Sequence, residues 1–376
     1  MKKFLKMLLI AIPTTIGFIA VVAVLFIKFS PEFGGSHSPE DKERYAESGH
    51  YEKDEFQNLI ETSMDMDAKG MAKTLWEFMA GGERRKPASP FPMIFRDSEE
   101  ITGYDGPARL MWYGHSAFLL QMEGKNILFD PMFGQVAAPH PWLGGNRFNS
   151  EMPISIENLP SIDAIIISHD HYDHLDYGSI KDLIGKTKHF YLPLGVGAHF
   201  REWGVPEDQI TEFNWWDEGT IGDIEIAFTP SRHFSGRGVT DRNSTLWGSW
   251  VIKSTESKLY FSGDSGYGPH FKQIGEKFGP FDFALMECGQ YNQRWEAIHM
   301  MPEQTALASQ EIGAKVMMPI HWGAFTLSLH QWDDPIKRVV PAAEALNIPV
   351  VIPQIGEFIS VIDPSTEYKG WWQGLE

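Results

Sequence analysis

The chain has 376 residues, 43% hydrophobic and 22% charged, a balance that supports a sizeable core and excludes a wholly disordered chain. Its 32 basic and 50 acidic residues give a formal charge of −18. That argues against nucleic acid as a partner, which needs a basic footprint to displace counterions. The single cysteine, Cys288, excludes a disulfide within the chain.

Residues 1–28 stand apart. Lys2, Lys3 and Lys6 precede an apolar run from Met7 to Ile27, which Lys28 closes. A helix needs roughly 20 apolar residues to cross a bilayer's hydrocarbon core, and this run is long enough. A cleaved signal would have a shorter apolar region ending in a small-x-small site, and Ala20 and Ala23 make a poor one. The expectation is an uncleaved transmembrane signal anchor. The lysine bias puts the N-terminus in the cytoplasm and the body outside, on the periplasmic side in a double-membraned bacterium. The anchor holds four of the basic residues and no carboxylate, so the body alone carries −22.

Residues 29–106 read as a loosely packed extension. The stretch GGSHSPEDKERYAESGHYEKDE is polar and charged, a linker or peripheral wrap. MAKTLWEFMA (71–80) places Met71, Leu75, Phe78 and Met79 on one helical stripe. It predicts a short helix packed on the main body, with contact to a membrane surface as the alternative. Three prolines in ERRKPASPFPM then break regular structure.

From residue 107 to 376 strands and helices alternate, which predicts a single α/β domain. ARLMWYGHSAFLLQMEGKNILFDPMF reads as strand, turn, strand. IDAIIIS (162–168) is a continuous apolar run, as for a strand buried on both faces. TLWGSWVIKSTESKLYFSGD is a hairpin around STES, and FDFALMEC and AKVMMPIHW are further buried strands. Helices are expected at 177–185, 196–203, 269–278, 302–313 and 335–346.

The chemistry concentrates after the IDAIIIS strand, in Ser168-His169-Asp170-His171-Tyr172-Asp173-His174. Three imidazoles and two carboxylates in six residues serve no packing purpose, and burying them is costly without a compensating cation. Imidazole and carboxylate suit zinc and neighbouring transition metals. His233, Asp264 and His321 each follow an apolar strand. Alone each reads as a structural residue, but functional groups of α/β sheets gather at the carboxyl ends of strands.

H-x-H-x-D-H followed by a distant His, a Gly-Asp turn and a final His resembles the metallo-β-lactamase superfamily over roughly residues 107–361. HDHYDHLDY, FTPSRHF with LWGSW, FSGDSGY with FGPFD, IHWGAF and the proline-rich PASPFPM are similar to the N-acylphosphatidylethanolamine-hydrolysing phospholipases D and their bacterial relatives. The resemblance implies a four-layer αββα sandwich, here behind an N-terminal transmembrane helix, with two zinc ions. By matching position it places His169, His171 and His233 on the first zinc. Asp173, His174 and His321 fall on the second, and Asp264 bridges both.

Such a site implies attack on a phosphodiester by a metal-bridging hydroxide, with Asp173 orienting it. His299 matches a position that contacts the substrate phosphate or head group; an ordinary residue before a helix is the other reading. Asp130 is a candidate to orient a histidine ligand, and His115 a further imidazole at the site. Tyr291 and Arg294 are candidates to face the cleft; Trp322, Phe325 and Trp332 could line an acyl groove, but aromatic residues are more often core, which is the favoured reading. Arg232 and Arg237, beside His233, read as solvated surface residues, with attraction of a phosphate as the alternative. The expected function is a membrane-tethered zinc phosphodiesterase acting on a membrane phospholipid. A lactone or ester hydrolase on the same metals is the alternative, and a non-catalytic lipid-binding scaffold comes third.

Overall fold

The computed structural model describes residues 2–64, 66–366 and 370–375. The chain opens on α1 (Lys2–Phe29), then α2 (Pro39–Ala46), a small hairpin of β1 (Tyr51–Glu52) and β2 (Glu55–Phe56), α3 (Ala68–Ala80) and the single turn α4 (Ser98–Ile101). Within α1, Leu9–Phe29 is long and apolar enough to cross a membrane, and none of it is buried against the rest of the chain. The side chains of Lys2, Lys3 and Lys6, on which the expected orientation rests, lie outside those described.

The body contains β3 (Arg109–Trp112), β4 (Phe118–Met122), β5 (Lys125–Phe129), β6 (Ala164–Ile166), α5 (Tyr177–Leu183), β7 (Phe190–Pro193), α6 (Gly197–Glu202) and β8 (Ile210–Phe213). Then come β9 (Glu218–Ile221), β10 (Ile224–Thr229), β11 (Ser249–Lys253), β12 (Lys258–Phe261), α7 (His270–Phe278), β13 (Phe283–Glu287), α8 (Pro302–Glu311), β14 (Met317–Ile320), α9 (Asp334–Ala345) and β15 (Phe358–Ser360). They form two mixed sheets, ordered β15-β3-β4-β5-β6-β7-β8 and β14-β13-β12-β11-β10-β9.

Alternation along the strands builds the layers, because successive side chains leave a strand on opposite faces. In the first sheet Leu110, Trp112, Phe118, Leu120, Ile127 and Phe129 join one apolar cluster with Phe228, Trp250, Ile252 and Phe261 of the second sheet. Their neighbours Met111, Leu119, Leu128 and Ile165 point the other way and pack on Ile180 and Leu183 of α5 and Phe200 of α6. Behind the second sheet, Phe271 and Ile274 of α7, Ala306 of α8 and Ile336 and Val339 of α9 close the opposite side. The result is the four-layer αββα order. All five expected helices form, each within two residues of the expected ends.

The extension is tied to this body more firmly than its composition suggests. A reciprocal Ser38–Asp41 capping box starts α2. Tyr45 and Phe56 are fully buried, and the Asn58 amide donates to the His233 carbonyl at 2.7 Å. The 71–80 helix departs from expectation. Asp67 caps α3, but its apolar stripe does not pack on the body: Met71, Leu75, Phe78 and Met79 are all exposed.

Candidate metal centre

Seven strand ends from both sheets converge on one point. His115 follows β3, Asp130 follows β5, and the Ser168–His174 loop follows β6. His233 follows β10, Asp264 follows β12, Glu287 ends β13 and His321 follows β14. The turns that deliver them are tight. His115, Asp130, Gln290 and His321 all adopt positive φ (56°, 36°, 57° and 66°), a conformation that concentrates at functional sites because the surrounding structure must hold it. Gly263 (φ 54°) brings Asp264 inward, and a Cβ there would meet Gly248 O and the Ser168 Cβ at 2.7 Å.

Two groups of donor atoms result. In the first, His171 Nδ1 lies 2.9 Å from His169 Nε2 and 3.2 Å from His233 Nε2. The second gathers His115, Asp173, His174 and His321, with Asp173 Oδ2 2.8 Å from His115 Nε2 and 3.5 Å from His174 Nε2. Asp264 stands between them. Its Oδ2 is 3.8 Å from both His169 Nε2 and His233 Nε2, and its Oδ1 is 3.2 Å from His174 Nε2 and 3.0 Å from His321 Nδ1.

A second tier of bonds fixes these rings. His174 Nδ1 lies 2.7 Å from Asp130 Oδ2, whose carboxylate also accepts from the Ser168 amide and hydroxyl. The Ser168 hydroxyl meets His169 Nδ1 at 2.9 Å, and the Ile298 carbonyl meets His233 Nδ1 at 2.9 Å. The remaining nitrogens of these three rings are thereby aimed at the centre, the arrangement by which partners orient metal-binding histidines.

The donor set fits cations. Among the described residues, His174 Nε2 and Asp264 Oδ1 are buried and, though 3.2 Å apart, make no hydrogen bond; an unsatisfied buried polar atom costs about 1–3 kcal/mol. Burial, reinforced by neighbouring imidazoles, holds His169 well below the usual histidine range; burial likewise lowers His233 and His321. Neutral imidazole is the ligating form. His174 goes the other way: burial opposes its charge, but Asp264 and Asp173 raise it well above the usual range. Asp264 is pushed up to about 6, chiefly by burial. The carboxylates that favour positive charge at His174 would equally favour a bound cation.

Residues 125–322 match the sequence signature of the beta-lactamase superfamily domain, more than half of the chain. The chain belongs to the metallo-β-lactamase superfamily. An uncharacterised protein of Mycobacterium tuberculosis is 38% identical over 335 residues, 87% of this chain and 88% of its own. An N-acyl-phosphatidylethanolamine-hydrolyzing phospholipase D of Caenorhabditis elegans is 31% identical over 252 residues, 63% of this chain and 70% of its own. Among solved structures, a possible metal-dependent hydrolase from Veillonella parvula has a TM-score of 0.53 at 14% identity, covering 68% of this chain and 100% of that one; this likeness concerns the fold alone.

All seven residues of the ligand set expected from the superfamily pattern meet at the centre, and His115 joins the second group. His299 lines the same pocket of about 230 Å³, its Nδ1 2.9 Å from Glu287 Oε1. Other expected pocket residues lie elsewhere. Tyr291 turns away to stack on His330, its hydroxyl bonded to Asp334, and Arg294 bonds Glu77 and Thr74 of α3. Trp322 is 1% exposed and packs between Trp112 and Trp371; Phe325 and Trp332 are buried too, so none of the three lines an open acyl groove. Arg237 is not a solvated surface residue. It is buried and donates to the carbonyls of Asp170, Leu175 and Glu32. Arg232 is half-buried and reaches the Tyr267 carbonyl and the extension at Glu61 and Thr62.

Sequence reading missed Glu287, which fixes His299, and the apolar pocket residues Met64, Phe234, Trp295 and Leu327. Glu287 carried a signal, being an acidic residue at the end of an otherwise apolar strand. Met64 carried none, because its place depends on how the extension folds back.

Proposed function

We propose that the chain is a dinuclear metal-dependent phosphodiesterase of the N-acylphosphatidylethanolamine phospholipase D type, held at a membrane by α1. The observation that carries this reading is the position of Asp264, whose two oxygens face separate clusters of histidines. His169, His171 and His233 would hold one cation, and Asp173, His174 and His321 the other, with zinc the metal best matched to this donor set. Such a pair of cations activates water at neutral pH and stabilises charge on the attacking and leaving oxygens of a phosphoryl group.

The chain's own residues do the rest. Asp130, Ser168 and the Ile298 carbonyl hold ligand rings in fixed orientation. His115 and His174 hold the Asp173 carboxylate in its charged form, although burial opposes the charge. Glu287 ties one nitrogen of His299, so the ring is fixed at the pocket wall to meet a phosphate or leaving oxygen. Met64, Phe234, Trp295 and Leu327 give the mouth an apolar rim suited to the flanks of a lipid head group. The activity in the nematode relative's name supports the substrate class, and the apolar helix Leu9–Phe29 supports the anchor.

The test uses the full-length chain in proteoliposomes containing N-acylphosphatidylethanolamine. The expected products are phosphatidic acid and the N-acylethanolamine. A metal-loaded chain that leaves phosphodiesters intact but opens a lactone would overturn the phosphodiesterase reading in favour of ester hydrolysis at the same centre.

A further inference from the structure

A second cavity opens beside the metal pocket. It measures about 810 Å³, against about 230 Å³ for the pocket itself. Adjoining stretches of chain wall the two: Thr326 lines the larger cavity and Leu327, the next residue, lines the metal pocket. The Thr326 hydroxyl donates to the Arg85 carbonyl at 2.7 Å, which fastens the cavity's basic segment to the site.

This wall is cationic in a chain of net charge −18. Arg85, Lys86 and Arg147 all line it. Arg147 is buried and spends its donors on the carbonyls of Gly134, Tyr113 and Met132; among the described residues no carboxylate hydrogen-bonds to it, although Asp176 is near enough to favour its charge. Among the described residues, the Arg85 Nε is buried without a hydrogen-bond partner, and its Nη1 makes a long bond to the Phe78 carbonyl at 3.4 Å. A concave surface of one sign focuses its field on an opposite charge.

The rest of the setting is apolar. Phe78 and Phe148 line the cavity, and Phe78 belongs to α3, which leaves Leu75, Trp76 and Met79 60%, 68% and 67% exposed. On the other rim the cavity meets Gly145, and the same loop exposes Trp142 and Leu143 and brings His140 to Phe26 of α1, ring centroids 6.2 Å apart. Exposed apolar side chains around a basic depression, beside a helix able to cross a membrane, match an element that lies in a bilayer interface.

We propose that this cavity binds the phosphate-bearing head group of an anionic phospholipid, with Arg85 and Lys86 contacting the phosphate and α3 lying in the lipid interface. The wall supplies charge for the phosphate, and the exposed side chains of α3 supply an apolar surface for the lipid's glycerol and acyl parts. Binding here needs neither metal nor turnover, so it stands apart from the catalytic reading.

The test titrates the full-length chain, in neutral detergent micelles, with dioctanoyl-phosphatidylglycerol, dioctanoyl-phosphatidylcholine or inorganic phosphate, read by calorimetry. The expected result is at least about tenfold tighter binding of the glycerol lipid than of the choline lipid, weakening with salt. Arg85→Glu with Lys86→Glu should erase that preference, and Arg85→Gln with Lys86→Gln should reduce it, with metal content and melting temperature reporting that each variant is folded. His171→Ala should bind the glycerol lipid as the unaltered chain does. Equal binding of the two lipids, or an undiminished preference in both double variants, overturns the proposal. Phosphate binding as tightly as the glycerol lipid means a plain anion site and overturns the lipid claim. Loss of lipid binding in His171→Ala places the lipid in the metal pocket; that outcome removes this site and leaves the phosphodiesterase reading intact.

Discussion

The Ser168–His174 loop and the α3 segment invert the usual division between core and surface. In the loop, ionisable groups are buried: His169, Asp170 and His174 are all 1% exposed or less. In α3, apolar groups are exposed, Trp76 most of all. Neither arrangement is favourable for a chain alone in water. Each makes sense with an absent partner, cations for the loop and an apolar phase for the helix. Polar residues inside and apolar residues outside are therefore the two places on which the proposals for metal and lipid binding rest.

The comparison breaks most sharply at the loop's centre. Asp264→Ala removes the group that faces both donor clusters and should cut phosphodiester turnover by about 10³-fold or more, with circular dichroism unchanged; near-normal turnover would remove Asp264 from the site. Next is the framework beneath. Trp250 is fully buried, packs on Phe228 at 4.8 Å and donates to the Ile167 carbonyl at 2.9 Å. Trp250→Ala should cost about 3–5 kcal/mol in denaturant unfolding, far more than any single change on α3. Asp130→Asn keeps the shape but weakens the hold on His174, and should lower metal affinity or activity about 10–100-fold, as a competing chelator would report.

Acidification sharpens the contrast further. His37 and His50 join the extension to the body: the His37 ring lies 6.3 Å from the His199 ring of α6, and His50 stacks on Trp215 at 4.3 Å. Burial lowers each to about 4, below the roughly 6.5 of an unfolded histidine. Their stabilising effect is present above pH 6.5 and is lost as pH falls from 6.5 towards 4, because the unfolded chain binds protons that the folded one refuses. The melting temperature should fall across that window, less steeply in His50→Phe. The smallest effect belongs to α3 itself, where Leu75→Ser should shift stability by no more than about 0.5 kcal/mol. A large loss would mean that the exposed stripe is packed in solution.

What could be read from sequence followed local density. The six residues from His169 to His174 announce a cation because no fold needs that much charge in one turn, and IDAIIIS announces a strand buried on both faces. His233, Asp264 and His321 each look structural alone; only the superfamily pattern grouped them, because their meeting depends on two sheets packing. Side-chain direction in loops was illegible. Trp322 and Phe325 follow His321 closely, yet the positive φ at His321 and Gly323 turns the chain so that both bury. For α3, periodicity established a helix but could not say whether its stripe meets protein or lipid, since both satisfy the same pattern.

The most direct measurement is metal content and phosphodiester turnover on one sample of the full-length chain, before chelation, after it and after zinc is restored. This account predicts two ions per chain, turnover lost with them and regained with them, and no recovery in Asp264→Ala. A chain stripped of metal that still hydrolyses its phosphodiester at the original rate would contradict it.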